Sequence, residues 1–203
     1  MSTRMTGQLP FLKTLYTKIE HIVKSNNMYK SFNLYVQDES RFDLKTHTGR
    51  CITLKGVKPR VSFQHKFDTT YLWGSYSPID GDAFVYEING VNVAIFSAYL
   101  KALSNHRPEE FKIVVIDNAG FHSTKNIDIP DNIALINIPP YSPELNPCER
   151  MWHYIKSKFK NHLMKNMNEL REWLYEQVNS ITKDQVMSIV HDQLYVNAFN
   201  AAF

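Results

Sequence analysis

The chain has 203 residues, of which 43% are hydrophobic and 13% aromatic, so it can bury a sizeable core and is not of the disordered class. Its two cysteines, Cys51 and Cys148, are too few for a disulfide framework and lack the CxxC spacing of a metal site. No apolar run approaches a membrane span, and the first residues lack the apolar core of a signal peptide. Seven glycines and no glycine-rich loop exclude a nucleotide-cradling motif. The composition therefore predicts a cytoplasmic protein without a membrane segment.

The net charge of +3 is distributed unevenly along the chain. Residues 41–66 contain seven Lys or Arg against one acid, Asp43, and residues 150–165 contain five Lys or Arg and no acid. Either run alone would usually be a solvated face. Because the two runs flank a set of carboxylates, they indicate an anionic polymer as the partner.

The first half of the chain predicts one helix followed by β-structure. Residues 9–26 carry apolar side chains at helical spacing and are expected to form an amphipathic helix. Residues 32–37 are rich in aromatic and branched side chains and predict a strand with Asp38 at its end. Further short strands are expected around residues 51–54, 71–76 and 83–88. The turn-length links between adjacent strands indicate an antiparallel meander.

The second half alternates helices with buried strands. Residues 93–106 have the apolar spacing of a helix. Two apolar runs, residues 113–116 and 133–138, predict buried strands, which should be parallel because helical segments link the strands here. Further helices are expected at residues 122–130 (a short one), from Asn146-Pro147 onward, at 167–180 and at 183–194. The predicted fold class is α/β: a mixed sheet, with an antiparallel meander and then parallel strands, flanked by helices.

Three acids lie at the ends of these predicted elements. Asp38 follows the first strand, Asp117 follows a central strand, and Glu149 lies in the first turn of a helix. Carboxylates held close together repel one another, so such a cluster needs protons or a cation. Hard oxygen ligands favour Mg²⁺ or Mn²⁺, and two such ions can promote an in-line phosphoryl displacement. Together the three acids predict nuclease or strand-transfer chemistry.

Each acid also has a purely structural interpretation. Asp38 would fit a polar turn, and so would Asp117, since Asp and Asn favour turns. The run from Asn146 to Glu149 has the form of a capping box with proline at the first helical position. In that case Glu149 would only satisfy backbone N–H groups. It is the combination of three acids in this order and setting that favours a catalytic cluster.

Three motifs resemble the catalytic domain of DDE-type transposases of the Tc/mariner superfamily, in the branch carried by bacterial insertion sequences. They are YVQDESRF at residues 35–42, VIDNAGFH at 115–122 and PPYSPELNPCERMW at 139–152. The first is weak alone and the second is moderately specific. The third is the strongest because its Pro, Ser, Leu, Asn and Glu arrangement is long and unusual. The resemblance extends over residues 32–165, two-thirds of the chain.

The resemblance implies an RNase H-like fold with a catalytic triad of Asp38, Asp117 and Glu149, each also a ligand of Mg²⁺ or Mn²⁺, with two ions expected. Thirty-one residues lie between Asp117 and Glu149, near the usual spacing of the family. The implied activity is cleavage of DNA at insertion-sequence ends and transfer of the strand into target DNA. The alternatives are an RNase H-like nuclease without strand transfer and an inactive DNA-binding remnant of a transposase.

Four side chains are predicted to contact DNA. Arg41, Lys156 and Lys160 belong to the two basic runs and are expected to bind phosphates. His122, in the second motif, is a candidate contact with the phosphate to be cut. By contrast, Trp152 and Phe159 are expected to pack in the core and not to stack on bases.

The resemblance also implies partners and a division of the chain. Two copies of the chain would hold two DNA ends, and a helix-turn-helix region would recognise the terminal repeats. Only about thirty residues precede the first predicted strand, so either that region is on a partner protein encoded upstream or the chain is a truncated remnant. The expected units are a linker helix at residues 1–30, the RNase H-like catalytic domain at 31–165 and a helical extension at 166–203.

Overall fold

The computed structural model describes residues 5–47, 52–58, 60, 63–120, 127–160 and 162–203. Within these residues the chain forms five strands and six α-helices. The strands are β1 (Ser31–Asp43), β2 (Thr69–Tyr76), β3 (Ala83–Ile88), β4 (Glu110–Ile116) and β5 (Ile133–Asn137). The helices are α1 (Met5–Ser25), α2 (Val93–Asn105), α3 (Cys148–Phe159), α4 (Met167–Asn179), α5 (Lys183–Val190) and α6 (Gln193–Asn200). None of the helices described is long and apolar enough to cross a membrane.

The five strands form one mixed sheet in the order β3-β2-β1-β4-β5. The first three strands pair antiparallel, and β4 pairs parallel with both β1 and β5. This arrangement confirms the predicted meander followed by parallel strands. The parallel pairing of β1 with β4 runs from Ser31↔Glu110 to Val36↔Val115.

The central position of β4 explains its continuous apolar sequence. All seven residues of β4 are buried, because helices cover both faces of the sheet. Ile113 and Val115 point into the larger core cluster, whereas Val114 and Ile116 point into a second cluster beneath α2. The alternation along β4 therefore places the residues of one strand in two separate cores.

The larger core joins both ends of the chain to the sheet. Phe11 and Leu15 of α1 belong to it, as do Tyr195 and Phe199 of α6. The rings of Phe11 and Tyr195 lie 6.5 Å apart, centre to centre. Trp152 and Phe159 of α3 are also buried there, which confirms their predicted place in the core. Helices α1, α3 and α6 thus contribute to the same hydrophobic core as the sheet.

Strand β1 differs from its prediction in a way that affects Asp38. The strand was expected to end at residue 37, but it continues to Asp43, so Asp38 lies inside the strand. The reason is the neighbouring strand: β1 pairs with β2 as far as Asp43↔Thr69. This pairing satisfies the backbone groups of a polar stretch that has no clear apolar alternation.

Several other predicted boundaries are wrong. Residues 52–54 form no strand, and the side chains of Ile52 and Leu54 are exposed. Residues 127–130 form no helix, and residues 122–126 of that prediction lie outside the described part. The helix predicted at 183–194 ends at Val190, because Asp192 caps a separate helix, α6, by accepting a hydrogen bond from the backbone N–H of Leu194.

Candidate active site

Asp38 lies where the parallel part of the sheet ends. Val36↔Val115 is the last parallel pair, so Asp38, within β1, and Asp117, just after β4, each come two residues beyond it. On its other side Asp38 pairs with Gly74 of β2. The Asp38 side chain extends toward α3, where the indole N–H of Trp152 donates a hydrogen bond to Oδ2 at 2.9 Å.

Gly74 makes room for this hydrogen bond. A Cβ atom at position 74 would lie 2.8 Å from Cη2 of Trp152 and 2.6 Å from Cε2 of Tyr76. Both distances are too short for carbon atoms, so only glycine lets the two rings pack in their present edge-to-face arrangement, with centres 5.8 Å apart. The sequence identified Trp152 as a core residue but gave no sign of its contact with Asp38.

The Asp38 carboxyl group is in an unfavourable electrostatic position. Burial raises its pKa to about 7, and the nearby negative charges of Glu149 and Glu39 contribute to the increase. Hydrogen bonds from the backbone of Glu39 and from Trp152 oppose this effect without cancelling it. A cation beside Asp38 and Glu149 would relieve the repulsion.

A second acidic cluster, at the opposite end of β1 and β4, already has its cation. Arg107 contacts Asp80 at 2.7 Å, Asp82 at 2.9 Å and Glu110 at 3.3 Å. Burial alone would raise the pKa of Asp80, but hydrogen bonds, the largest of them from Arg107, together lower it to about 2. Carboxylates at this end of the strands are therefore neutralised by arginine. At the other end, no Lys or Arg in the described part of the chain forms an ion pair with Asp38 or Glu149, which repel each other.

Asn146 positions the start of α3, and with it Glu149. Its side-chain amide donates to the backbone oxygen of Gln37 at 2.9 Å, and its side-chain oxygen accepts from the backbone N–H of Cys148 at 3.1 Å. The predicted capping box is wrong, because Pro147 occupies the N-cap and makes no side-chain cap hydrogen bond. Asn146 instead ties the helix to β1 next to Asp38, and Glu149 lies exposed in the first helical turn.

Asp117 follows β4 and is held by its own loop. Its Oδ1 accepts a hydrogen bond from the backbone N–H of Ala119 at 2.8 Å, as expected for the turn that the sequence allowed. It lines a cavity of about 480 Å³ together with residues 118–119 and 138–143. Among the described residues, no three His, Cys, Asp or Glu side chains converge closely enough to hold a metal ion. A common metal site for Asp117 with Asp38 and Glu149 stays a prediction.

Three of the four predicted DNA contacts lie together. A pocket of about 380 Å³ is lined by Arg41, Lys156 and Lys160, joined by His47 and His153. We call this the basic pocket. It is formed where β1 passes α3, so it lies three residues from Asp38 along the strand and four from Glu149 along the helix. Its clustered positive groups are suited to a phosphate-bearing chain.

The floor of the basic pocket is aromatic. Phe42 and Phe159 are buried beneath it, and Nζ of Lys156 lies 5.5 Å from the ring centre of Phe42. His47 was not predicted, because only the tertiary contact between β1 and α3 brings it to the pocket. The remaining predicted contact, His122, falls outside the described residues.

Asp38 and Glu149 fit a hard divalent cation by the chemistry of their donors. Both supply carboxylate oxygens, the ligands that Mg²⁺ and Mn²⁺ prefer. The raised pKa of Asp38, caused by burial and by Glu149, is the electrostatic situation that a cation would offset. The neutral phenol and sulfur groups nearby, Tyr76 and Cys148, are fully buried behind the carboxylates and offer no competing site.

Comparisons with known proteins identify similar sequences and similar folds. An uncharacterised protein of Sinorhizobium fredii, y4pE/y4sA, is 37% identical over 59 residues, which is 29% of this chain and 44% of that protein. The Mos1 transposase catalytic domain with raltegravir and Mn superposes with a TM-score of 0.58 at 13% identity, over 100% of this chain and 96% of that one. The Mos1 paired-end complex with the left transposon end gives a TM-score of 0.64 at 14% identity, over 100% of this chain.

The likeness to Mos1 shows that the fold is RNase H-like, as the sequence predicted. This chain spans 63% of the transposase in the paired-end complex and less than half of the Sinorhizobium fredii protein. Residues 33–171 match a family described as "DDE superfamily endonuclease". The matched segment is more than half of the sequence and includes Asp38, Asp117 and Glu149, and the chain therefore belongs to the DDE superfamily endonucleases.

Proposed function

We propose that this chain is the catalytic part of a DNA transposase, which cuts DNA at the ends of an insertion sequence and joins the freed strand to target DNA. The observation that carries the proposal is the half-buried Asp38 carboxyl, whose pKa is raised by burial and by the charge of Glu149, at the end of the parallel pairing in an RNase H-like sheet. Two copies of the chain, one for each DNA end, would be required. Recognition of the terminal repeats would require a helix-turn-helix region, as the family resemblance implies, and a protein encoded upstream is a candidate for it.

The proposed reaction consists of two phosphoryl transfers. In the first, a water oxygen bonds to phosphorus, the bond to the 3′ oxygen breaks, and a 3′-hydroxyl and a 5′-phosphate result. In the second, that 3′-hydroxyl attacks a phosphodiester of target DNA, and the 3′ oxygen of the target leaves with a proton. Both are in-line displacements whose rate depends on positioning and on stabilising negative charge.

Asp38, Glu149 and Asp117 are the residues that would hold Mg²⁺ or Mn²⁺. Such ions, when bound, activate the attacking oxygen and stabilise the leaving oxygen. The chain itself supplies orientation: Trp152 fixes the Asp38 carboxylate, and Asn146 fixes the start of α3 relative to β1. The basic pocket would bind phosphates of the strand presented to these carboxylates.

Cleavage of a labelled DNA duplex that carries the end of the encoding element tests the proposal. We expect nicks with Mg²⁺ or Mn²⁺ and none with EDTA. Each condition is run with and without the helix-turn-helix protein, to determine whether cleavage depends on it. A supercoiled plasmid added as target should acquire the labelled strand. Nicks without joined product would support the nuclease without strand transfer.

An inactive DNA-binding remnant is the second candidate, and two observations favour it. The Asp117 carboxylate accepts a hydrogen bond from its own loop, and in the described chain no three potential ligands converge on one point. A remnant would bind DNA with a steep salt dependence and would cut none of it with any divalent ion.

Lys156→Gln is expected to weaken DNA binding about 3- to 10-fold at low salt and to reduce the salt slope by about 0.9, because one phosphate contact is lost. Lys158→Gln is the matched control on the same helix, since Lys158 lies over the ring of Tyr154 at 4.4 Å and does not line the basic pocket. Fluorescence anisotropy in EDTA, across a salt series, measures both quantities. Equal losses in the two variants would show that the pocket has no special part in binding.

A further inference from the structure

Tyr141 combines two unusual properties. Its side chain is 101% exposed, and its backbone has a φ of +58°, in the left-handed region that a tyrosine rarely adopts. An exposed aromatic ring gains no stabilisation from burial, and the left-handed backbone costs roughly 1–2 kcal/mol. Neither property benefits the folded chain by itself. Their coincidence at one residue points to a ligand.

The segment around Tyr141 is held in place from both sides. Upstream, the N–H of Ile138 donates to the oxygen of Ile116 at 2.9 Å, and the side-chain amide of Asn118 donates to the oxygen of Ile138. Downstream, Ser142 accepts from the N–H of Leu145 at 3.0 Å. The ring of Tyr141 is therefore presented by a pinned loop.

The surroundings of Tyr141 suit a flat, partly apolar ligand next to a phosphate. Tyr141 lines the cavity of about 480 Å³ that Asp117 also lines. Three prolines and Ile138 form apolar walls, and Asn118 and Ser142 add polar groups. The cavity is large enough for a nucleobase, and aromatic side chains bind bases by stacking on their faces.

We propose that Tyr141 and the walls at residues 138–143 form a stacking site for a nucleobase of single-stranded or locally unpaired DNA, beside the phosphodiester that reaches Asp117. This inference rests on the proposed function, because it assumes that the strand to be cut passes Asp117. It assigns to the loop a role separate from that of the basic pocket: the pocket binds phosphates, and the loop binds a base.

Binding of a short single-stranded oligonucleotide with one 2-aminopurine tests the proposal without metal or cleavage. In EDTA, we expect the wild-type chain to quench the fluorescence of 2-aminopurine through stacking. Tyr141→Ala should lose the quench and bind about 5- to 100-fold more weakly, the range of a lost base stack. Tyr141→Phe keeps the ring and should stay within about threefold of wild type.

Two further variants control for folding and for exposed aromatic rings in general. Tyr141→Gly removes the left-handed strain, so its melting temperature should equal or exceed that of wild type while the quench is lost. Tyr175→Ala, at a tyrosine 73% exposed on α4, should bind like wild type. The stacking site would be overturned if Tyr141→Ala quenched 2-aminopurine fluorescence as strongly as wild type does. It would also be overturned if Tyr141→Phe lost as much quenching as Tyr141→Ala.

The stacking site and the proposed function can fail separately. Quenching that depends on Tyr141, in a chain that never cuts DNA with Mg²⁺ or Mn²⁺, would keep the stacking site and refute the transposase activity. Metal-dependent cleavage that is unchanged in Tyr141→Ala, together with unchanged quenching, would keep the activity and refute the stacking site.

Discussion

Glu149→Gln is expected to reduce metal-dependent DNA cleavage at least about 1,000-fold while the chain stays folded. The substitution keeps the size of the side chain but removes the negative charge that a divalent ion needs, and one missing charge in such a site costs several kcal/mol of transition-state stabilisation. Because Glu149 is exposed in the first turn of α3, the loss of its charge should not destabilise the fold, and it removes a repulsion with Asp38. Asp117→Asn should reduce cleavage similarly if Asp117 shares the metal site.

Glu172→Gln is the matched control for this prediction. Glu172 is an exposed acid on α4 and has no place in the candidate active site. Initial rates of nicking on the same duplex, with circular dichroism to verify folding, compare the variants. Cleavage by Glu149→Gln at the rate of Glu172→Gln would remove Glu149 from the catalytic residues.

Asp38→Asn is expected to stabilise the metal-free protein, and more so as the pH rises. Burial, together with the charges of Glu149 and Glu39, raises the pKa of Asp38 from 3.8 to about 7. The folded state therefore binds this proton more tightly than the unfolded state does, so the free energy of unfolding falls as the pH rises from about 4 to 7. Asparagine never ionises and can still accept the hydrogen bond from Trp152.

The full pKa difference of Asp38 corresponds to roughly 4 kcal/mol above pH 7. Asp38 is partly accessible to solvent, and asparagine also has a cost of burial, so we expect a gain of about 2 kcal/mol, or about 5 °C in melting temperature. The gain should nearly vanish close to pH 4, where Asp38 is protonated in most folded and many unfolded molecules.

Thermal unfolding in EDTA at pH 4.5 and pH 8 measures this effect. Asp131→Asn, at an exposed aspartate before β5, controls for the general loss of one negative charge. Addition of Mn²⁺ at pH 8 should raise the melting temperature of the wild type and not that of Asp38→Asn, because a bound ion stabilises only the folded state. If the stability difference between wild type and Asp38→Asn were the same at both pH values, it would not arise from the raised pKa of Asp38.

The elements that the sequence predicted best are those with a strong local pattern. The apolar runs of β4 and β5 and the helical spacing of α2 need no distant partner to be recognised. The wrong predictions concern segments whose structure depends on a neighbouring strand or helix. The polar second half of β1 is a strand because β2 pairs with it, and the predicted helix at 183–194 is interrupted because Asp192 starts a new one.

The candidate site, likewise, was predictable only in its local features. The identities of Asp38, Asp117 and Glu149, the two basic runs and the family resemblance are properties of the sequence alone, since they depend only on residue type, order and spacing. These features were enough to predict an RNase H-like fold and a DNA-directed endonuclease.

Only the tertiary structure decided which of these side chains meet. Asp38 and Glu149 are more than a hundred residues apart, and the hydrogen bonds of Asn146 and Trp152 to β1 bring them together. The basic pocket, likewise, exists only where β1 passes α3. The exposed ring of Tyr141 depends on a left-handed backbone that the loop imposes. Residue type and spacing fix local structure, but contacts between distant segments depend on sheet register and packing, which no local pattern encodes.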